Sequence, residues 1–302
     1  MTDPLSALDI NAVQQALVSW YEADHRSFPW RETEAPYEIL VSEVMSQQTQ
    51  LERIVGPWED FIEQWPTVAA LAGADRSDIV AFWSEHSLGY NNRARYLHEA
   101  AQQVQAEFGG ILPRDPEELE SLMGVGPYTA TAVASFAFDT GGAVVDTNVK
   151  RVLHRAFGVP DDDTAFETAA ENVVLAKSPG LWNNAIMELG GVACSKTPRC
   201  DGAECPWREW CRAYKTGDFT APDVPTQPEF EGSRRQFRGR IVRTLSEHGE
   251  LPLDELGPKI RVDYDPNGAD DREWLRDLVA DLAGDGLLAL NDTGEATVQL
   301  RP

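Results

Sequence analysis

Basic side chains are few in this chain, and lysine is the scarcest of them. Five lysines and 21 arginines face 50 aspartates and glutamates, so the formal net charge is −24. One interpretation is a protein that avoids polyanions, because like charges repel. The other is a surface adapted to a salt-rich cytoplasm, where the Debye length shrinks to about 3 Å near 1 M and long-range charge effects fade. Composition alone leaves both interpretations open.

Long apolar runs are also missing. The chain has no stretch of 18 or more apolar residues of the kind that spans a bilayer. Its first residues, MTDPLSALDI, lack the basic-then-apolar pattern of a secretory signal. We therefore expect a soluble, cytoplasmic protein with no membrane partner, and we expect it to be a monomer.

Cysteine occurs four times, and all four cysteines fall within residues 194–211. Cys194, Cys200, Cys205 and Cys211 have the spacing C-x5-C-x4-C-x5-C. A disulfide scaffold distributes cysteines through a short secreted chain, and structural zinc sites usually contain C-x2-C pairs, which this loop lacks. Four thiolates in one compact loop are typical of a [4Fe–4S] cluster. The loop therefore predicts such a cluster as cofactor, with zinc or free thiols as the alternatives.

Strand-like alternation is weak before residue 216, and apolar residues recur at helical spacing instead. The chain is therefore predicted to be mostly α, with a helical domain over residues 1–215 that includes the cysteine loop. Residues 216–228 form a Pro-rich linker. The strongest predicted helices of the first domain are residues 12–20, 37–50, 94–108, 128–138, 149–157 and 182–193.

Residues 229–302 have a different pattern. A basic-faced helix is followed by two further helices and by two strands around an Asn-Asp-Thr-Gly turn. Three helices and a hairpin resemble a small α/β module of the winged-helix type. The predicted helices are residues 233–249, 253–256 and 272–284, and the predicted strands are residues 287–290 and 296–300.

Residues 122–151, LMGVGPYTATAVASFAFDTGGAVVDTNVKR, contain the most informative pattern. A hinge at Gly124, Val125 and Gly126 lies between two helical segments, where its backbone N–H groups could bind a phosphate at the start of the next helix. Asp146 follows two valines and precedes another helix. A phosphate anchor with a buried acid nearby indicates chemistry on a nucleic acid.

A second acid lies in residues 37–51, YEILVSEVMSQQTQL. On a helix, Glu43 and Gln47 share one face at i,i+4, with Gln48 beside them. A glutamate in such an apolar helix is often a paired structural charge, so this segment by itself predicts a candidate catalytic acid and no more.

These motifs resemble those of MutY-type adenine DNA glycosylases, in the helix-hairpin-helix or endonuclease III superfamily. The string SEVMSQQTQ is similar to the family's SEVMLQQTQ. The likeness extends through RSFPWR, LGYNNRARYLHEAA, GVGPYTA, VDTNVKRVL and the cysteine loop, over nearly all of residues 20–212. The resemblance implies a helix-hairpin-helix glycosylase fold with two helical subdomains and an iron–sulfur loop. It also favours the high-salt interpretation of the charge, because the substrate is a polyanion.

The resemblance implies a monofunctional enzyme of base excision repair that hydrolyses the N-glycosidic bond of adenine mispaired with 8-oxoguanine or guanine in double-stranded DNA. Such a reaction requires a proton for the departing base and a negative charge beside the cationic sugar. Glu43 is then the general acid, and Asp146 stabilises the oxocarbenium ion or bonds to it. Tyr128 and Asn148 are their hydrogen-bond partners, although Tyr128 could also be an aromatic at a helix start. Strand-cutting relatives have a Schiff-base lysine at this position.

Further roles follow from matching positions in the family. The hinge residues Gly124, Val125 and Gly126 contact DNA phosphate, and the four cysteines hold the metal. Trp30 and Leu88 could equally belong to the core. The residues implied to bind the substrate are Gln48 and Tyr90 in the vacated stack, Thr49 and Leu88 near the opposing base, and Arg26, Trp30, Arg31 and Glu188 in the adenine pocket.

The sequence also departs from the family pattern. Ser46 replaces a leucine, and Thr147 replaces a glycine. Typical members have a larger, Nudix-like C-terminal domain that helps to recognise 8-oxoguanine, and residues 229–302 do not resemble it. The preferred opposing base therefore stays open. Two other functions also stay open, namely a thymine or uracil mismatch glycosylase of the same superfamily and a non-catalytic iron–sulfur module that binds DNA.

Overall fold

The computed structural model describes residues 5–6, 8–200, 205–224, 228–291 and 296–302. These residues form two compact units. The first unit takes its residues from 1–43, 112–121 and 125–225, and the second takes its residues from 44–111, 122–124 and 226–302. The chain passes between the units several times, so the motifs found in the sequence are divided between them.

The described residues are mostly helical, which confirms the predicted fold class. In chain order the helices are α1 (Ile10–Ala23), α2 (Pro36–Ser46), α3 (Leu51–Gln64), α4 (Val68–Ala72), α5 (Arg76–Glu85), α6 (Asn92–Glu107), α7 (Pro116–Glu120), α8 (Pro127–Phe138), α9 (Thr147–Phe157), α10 (Asp163–Val173), α11 (Pro179–Val192), α12 (Arg212–Thr216), α13 (Arg234–His248), α14 (Leu253–Ile260) and α15 (Ala269–Gly284). The strands are β1 (Leu251–Pro252), β2 (Leu288–Asn291) and β3 (Thr297–Leu300). A single 3-10 turn covers Pro29–Arg31 within the same described residues.

The core of the first unit extends into the cysteine loop. Trp207, which lies between the third and fourth cysteines, is 1% exposed and packs against Phe157 and Trp182, with ring centroids 5.0 and 6.0 Å away. Its indole N–H donates to the Val13 carbonyl of α1 at 2.9 Å. Burying an indole with its N–H satisfied anchors the loop firmly to the helices around it.

In the second unit an aromatic cluster joins α3 to α5. The ring centroid of Phe61 lies 4.7 Å from that of Trp65, 5.3 Å from that of Phe82 and 6.4 Å from that of Trp83. The indole N–H of Trp83 donates to the Gly89 carbonyl at 2.9 Å. The cluster therefore supports both α5 and the turn that follows it.

The C-terminal residues of the second unit form a small α/β module that packs on α5 through α13. Its antiparallel sheet has the order β1-β3-β2, with Val298 of β3 opposite Leu251 on one side and Leu290 on the other. In chain order its elements are α13, β1, α14, α15, β2 and β3, so the short strand β1 adds to the predicted three helices and two strands, and the winged-helix assignment stays a prediction. The predicted Asn-Asp-Thr-Gly turn includes residues 292–294, which lie outside the described residues.

Two predicted helix ends are wrong by four residues, since the helix expected over residues 253–256 continues to Ile260 as α14 and the helix expected over residues 37–50 is too short. Helix α2 was expected to continue to residue 50, but it ends at Ser46. The N–H of Thr49 bonds to the Ser46 carbonyl at 3.0 Å, and Gln48 has a φ of 58°. Gln47 and Gln48 therefore do not share a helical face with Glu43.

Across the described ranges, no helix combines the length and apolar character needed to cross a membrane.

Candidate active site

Glu43 lies near the end of α2 and is 8% exposed. Burial raises the pKa of Glu43 to about 7, and the negative charge of Asp146 acts in the same direction. The positive charge of Arg31 and a hydrogen bond from Tyr128 oppose this rise in pKa. A carboxyl group with a pKa near neutrality can hold a proton at neutral pH and deliver it to a bound group.

Asp146 is the N-cap of α9, and two donors orient its carboxylate. Oδ1 accepts from the Val149 backbone N–H at 2.7 Å, and Oδ2 accepts from Nδ2 of Asn148 at 2.8 Å. In the first turn of α8, desolvation raises the pKa of Tyr128 well above its usual value, and the charges of Glu43 and Asp146 add to the effect. The phenol therefore remains a donor. The first unit thus brings together the four residues that the sequence predicts as catalytic.

Three of the predicted pocket residues form one ionic network. Glu188 of α11 is 1% exposed and accepts from Nε of Arg26 at 2.7 Å and from Nη2 of Arg31 at 3.0 Å. Burial favours a higher pKa for Glu188, but the hydrogen bonds and charges of the two arginines outweigh it, so its pKa lies below the usual value. The fourth residue, Trp30, is buried and stacks on Phe28 at 5.1 Å. The network fixes the guanidinium of Arg31, whose positive charge acts on Glu43.

Arg151 connects the Asp146 end of α9 to the cysteine loop. Its Nη2 donates to Oδ1 of Asn148 at 2.7 Å and to the Gly190 carbonyl at 2.8 Å, while its Nε donates to the Cys194 carbonyl at 2.8 Å. Helices α9 and α11 approach each other closely at Gly190 and Asn148. A side chain at position 190 would not fit there, because its Cβ would lie 2.8 Å from Cβ of Asn148. Displacement of the loop is therefore expected to reach the Asp146 carboxylate through Asn148.

The four cysteines line a common pocket of the first unit. No group of three or more His, Cys, Asp or Glu side chains in the described part of the chain is arranged to hold a metal ion. The cysteines are not joined in disulfides. Burial raises the pKa of Cys205 to about 11 and moves the pKa of Cys194 upward as well. The residues around the pocket are mostly apolar: Val152, Arg155, Ala156, Leu189, Ala193, Cys194, Cys200, Cys205, Trp207, Cys211 and Phe219.

Arg155 supports this pocket from α9. Its side chain is buried, and Nη1 donates to the Ser195 carbonyl at 2.7 Å and lies 3.9 Å from Sγ of Cys194. The backbone N–H of Tyr214 points to Sγ of Cys211 at 3.4 Å. N–H donors directed at sulfur stabilise thiolate ligands. The donor set therefore suits a sulfur-ligated centre.

In the second unit, Arg93 organises the two segments that the sequence assigns to base handling. This arginine is 7% exposed although it is charged. It joins the end of α2 to the turn at residues 87–90. Its guanidinium donates to the carbonyls of Val44 at 2.8 Å, Met45 at 3.1 Å, Gln47 at 2.6 Å, Leu88 at 2.6 Å and Gly89 at 3.2 Å.

The two segments present different side chains to solvent. Gln48, Ser87 and Tyr90 have positive φ angles of 58°, 54° and 48°. Tyr90 is 40% exposed, whereas Leu88 is 5% exposed and packs in the core. Gln48 is exposed and Thr49 is half-buried. Gln48 and Tyr90 are therefore accessible to a ligand, whereas Leu88 is buried and is not accessible.

The first residue of the hinge, Gly124, has to be a glycine for steric reasons. Gly124 has a φ of 75°, and a Cβ there would lie 2.5 Å from Cβ of Tyr96. Gly126 is the N-cap of α8, and Pro127 is its first residue. The hinge thus directs the chain into α8, while phosphate binding by Gly124, Val125 and Gly126 stays a prediction.

Sequence reasoning missed the arginines that connect these parts. Arg151 follows Asn148 by three residues on α9, a spacing that places both on one face. Arg93 and Arg155 lie among apolar helix positions, which is the signal of a buried charge. Most of their carbonyl partners are distant in sequence, so no local pattern reveals them.

Comparison with known proteins agrees with the geometry. Residues 41–177 match the HhH-GPD superfamily of base excision DNA repair proteins. The chain is similar to the adenine DNA glycosylase of Mycobacterium tuberculosis (strain H37Rv), with 39% identity over 81% of this chain and 80% of that protein. The adenine DNA glycosylase of Mycolicibacterium smegmatis is 35% identical over 92% of this chain and 96% of that protein. A solved thermostable thymine-DNA glycosylase is 28% identical, with a TM-score of 0.62 over 68% of this chain and 97% of that one.

Proposed function

Because the chain belongs to the adenine DNA glycosylase family within the HhH-GPD superfamily, we propose that it removes adenine mispaired with 8-oxoguanine or guanine in double-stranded DNA. It is a DNA glycosylase of base excision repair. The observation that carries the proposal is the buried carboxyl of Glu43, whose pKa is about 7 under the influence of Asp146. One carboxyl that holds a proton and one charged neighbour are what N-glycosidic hydrolysis requires.

The two carboxyl groups have different roles. Glu43 protonates the departing adenine and then accepts a proton from the attacking water. Asp146, fixed by Asn148 and by the start of α9, stabilises the positive charge that develops on the sugar. Tyr128 donates to Glu43 and directs its proton. A phenol cannot form a Schiff base with the sugar, so base removal proceeds without strand cleavage.

We assign separate substrate contacts to each unit. In the first unit, the network of Arg26, Arg31 and Glu188 supplies fixed donors and an acceptor for an extruded base, and Trp30 is the wall behind them. Gly124, Val125 and Gly126 bind DNA phosphate through backbone N–H groups. In the second unit, Gln48 and Tyr90 occupy the stack that the base leaves, with Thr49 near the opposing base, while Leu88 is buried and supports the turn from inside the core.

The cysteine pocket supports the proposal of a [4Fe–4S] cluster. Its four thiols, its apolar wall and the donors from Arg155 and Tyr214 suit this group. Cys194, Cys200, Cys205 and Cys211 would hold it. When bound, the cluster supplies iron–sulfur bonds that close the loop. Iron-free, colourless protein from oxygen-free purification would contradict this assignment.

Base release from end-labelled duplexes tests the function. Each duplex contains one adenine opposite 8-oxoguanine, guanine, cytosine or thymine, and strand breaks are measured with and without alkali. We expect alkali-dependent breaks at adenine opposite 8-oxoguanine and guanine, and no adduct after borohydride treatment. Glu43→Gln is the matched inactive control. Absence of adenine release by the wild-type enzyme would refute the proposal.

Thymine or uracil removal is the second candidate, because a thymine-DNA glycosylase shares the fold at 28% identity. The same assay with T·G and U·G duplexes separates the two, since release there without adenine release would establish it. Mismatch binding without any base release would indicate a non-catalytic iron–sulfur module.

The charge of −24 supports work in a salt-rich cytoplasm. We propose that the enzyme acts there as a monomer.

A further inference from the structure

The loop of residues 139–145 connects α8 to α9 and leads directly into Asp146. The two groups that orient the Asp146 carboxylate, the Val149 N–H and the Asn148 amide, both follow Asp146 in the chain. The position of a carboxylate also depends on the backbone that precedes it. Contacts that hold this loop therefore help to determine where the Asp146 carboxylate lies.

Asn183 of α11 holds the loop from inside the core of the first unit, where it is fully buried. Its Oδ1 accepts from the Val144 backbone N–H at 3.0 Å. Its Nδ2 donates to the Gly142 carbonyl at 2.9 Å and to the Ser135 hydroxyl of α8 at 2.7 Å. Val144 precedes Asp146 by two residues, so Asn183 fixes the backbone immediately before the carboxylate.

These three bonds require an amide at position 183. A carboxylate could accept from the Val144 N–H, but it could not donate to the Gly142 carbonyl. An amide offers two N–H donors beside one acceptor oxygen, and Asn183 uses all three groups. Without this side chain the buried N–H of Val144 would lose its partner, and the loop would have to move to find another.

Helix α11 contacts the chain on both sides of Asp146. Before Asp146 it holds the loop through Asn183. After Asp146 it packs against Asn148 at Gly190, and the Gly190 carbonyl accepts from the Arg151 guanidinium that also binds Asn148. One helix thus provides the support for both ends of the segment that carries the carboxylate.

A second side chain holds the same loop from its exposed side. Oε1 of Glu171 in α10 accepts from the Ala143 backbone N–H at 2.9 Å. Glu171 is exposed, whereas Asn183 is fully buried. Because hydrogen bonds are electrostatically stronger where water is excluded, Asn183 is the main support of the loop and Glu171 is the lesser one.

We propose that Asn183 is a positioning residue that fixes Asp146, through the loop, where its charge stabilises the positive sugar. Electrostatic stabilisation depends on groups that are already in place when charge develops, so a small displacement of the carboxylate slows the reaction. The inference rests on the proposed function, and it adds a residue that acts through the backbone before Asp146.

Binding to two uncleavable sugar analogues isolates the charge interaction in the full-length protein. At the target position, opposite guanine, duplexes contain either a neutral tetrahydrofuran ring or a pyrrolidine ring that is positively charged at neutral pH. Fluorescence anisotropy gives the Kd for each duplex. We call the Kd for the tetrahydrofuran duplex divided by the Kd for the pyrrolidine duplex the charge preference, because it measures how well the protein stabilises a cationic sugar.

The variants are Asn183→Ala, the milder Asn183→Ser and the surface variant Glu171→Ala. Asn184→Ala is the matched control. It removes the same amide from the next position of α11, where Nδ2 donates to the Gly180 carbonyl of the same helix at 3.1 Å.

We expect a charge preference of at least about tenfold in wild type, in line with one interaction between charged groups. Asn183→Ala and Asn183→Ser should lose most of this preference, and their affinity for the tetrahydrofuran duplex should stay within about threefold of wild type, because only the charge interaction is lost. Single-turnover base release should slow by about tenfold or more in both variants. Glu171→Ala should lower the charge preference by about two- to threefold, and Asn184→Ala should leave it unchanged.

A purely structural role for Asn183 predicts a different result. Loss of folded protein lowers binding to both duplexes equally, so it leaves the charge preference unchanged. Asn183→Ser retains a hydroxyl group at this position, and Glu171→Ala changes only an exposed side chain, so these two variants carry the test if Asn183→Ala does not fold.

A charge preference in the folded Asn183 variants equal to that of wild type would overturn the inference. Wild-type protein that releases adenine but binds both duplexes equally would also overturn it. If wild type releases no adenine, the proposed function itself fails, and the two failures are thereby distinguished.

Discussion

Replacing Glu43 with glutamine should make the protein more stable at alkaline pH. The pKa of Glu43 rises from 4.5 to about 7 on folding, so the folded state binds more protons than the unfolded state between these values. Stability must therefore fall as pH rises through this window. A pKa rise of this size corresponds to about 3 kcal/mol, because one unit equals about 1.4 kcal/mol.

Glutamine carries no charge at any pH, so the stability of the variant does not include the free-energy cost of ionising a buried carboxyl group. Urea unfolding followed by tryptophan fluorescence at pH 5 and pH 8 measures the effect. We expect the stability of Glu43→Gln relative to wild type to increase by roughly 2–3 kcal/mol from pH 5 to pH 8. Glu59→Gln, which removes an exposed charge on α3, should show no such change. Equal differences at both pH values would refute the argument that burial raises the pKa.

The same proton should control the rate. Base release by wild type is expected to fall about tenfold per pH unit above pH 7, as Glu43 loses its proton. Glu43→Gln should be slower by about 10²–10⁴-fold and show no such fall. Single-turnover measurements from pH 6 to pH 9 test this. A wild-type rate that rises steadily to pH 9 would remove Glu43 from the role of acid.

Three further results are expected. Gly190→Ala should slow base release at least tenfold, because the new Cβ would lie 2.8 Å from Cβ of Asn148. The control is Gly56→Ala, whose Cβ would have no atom within 4 Å. This control should keep full activity and gain about 0.5–1 kcal/mol of stability, because alanine is favoured over glycine inside a helix. Arg151→Met should slow base release about 10–100-fold with duplex affinity within twofold of wild type, since it loses charged hydrogen bonds to Asn148 and the Cys194 carbonyl. A single-turnover rate equal to that of wild type in Gly190→Ala or in Arg151→Met would contradict the prediction for that variant. Activity should persist as KCl is raised to the molar range, and a steep loss would contradict salt adaptation.

The candidate catalytic residues could be proposed from sequence because they lie in short, dense motifs. Glu43 and Asp146 each belong to a string that resembles one family, and helical spacing predicts the helices that carry them. The fold class follows from the same periodicity. These features depend on neighbours in the chain, which a sequence displays directly.

What could not be predicted depends on distant partners. The end of α2 at Ser46 follows from a turn and from the Arg93 guanidinium, whose partners on α2 and its end, the carbonyls of Val44, Met45 and Gln47, lie more than 40 residues away along the chain. The neutralisation of Arg234 and Arg238 by Asp281 and Asp285 crosses from α13 to the end of α15. Charge runs show where the arginines are, but only folding shows which carboxylates meet them.

Three residues without glycine's freedom, Gln48, Ser87 and Tyr90, adopt left-handed backbone conformations. Each such conformation costs on the order of 1–3 kcal/mol, and the surrounding contacts must maintain it. Because these conformations are already held without DNA, we expect the two segments to lose less conformational entropy on binding. The substitution Ser87→Gly would relieve part of this strain and stabilise the protein. It would also make the turn at residues 87–90 more flexible, so that binding DNA would cost more conformational entropy. In this short turn, a change that raises thermal stability is therefore expected to lower affinity for the substrate.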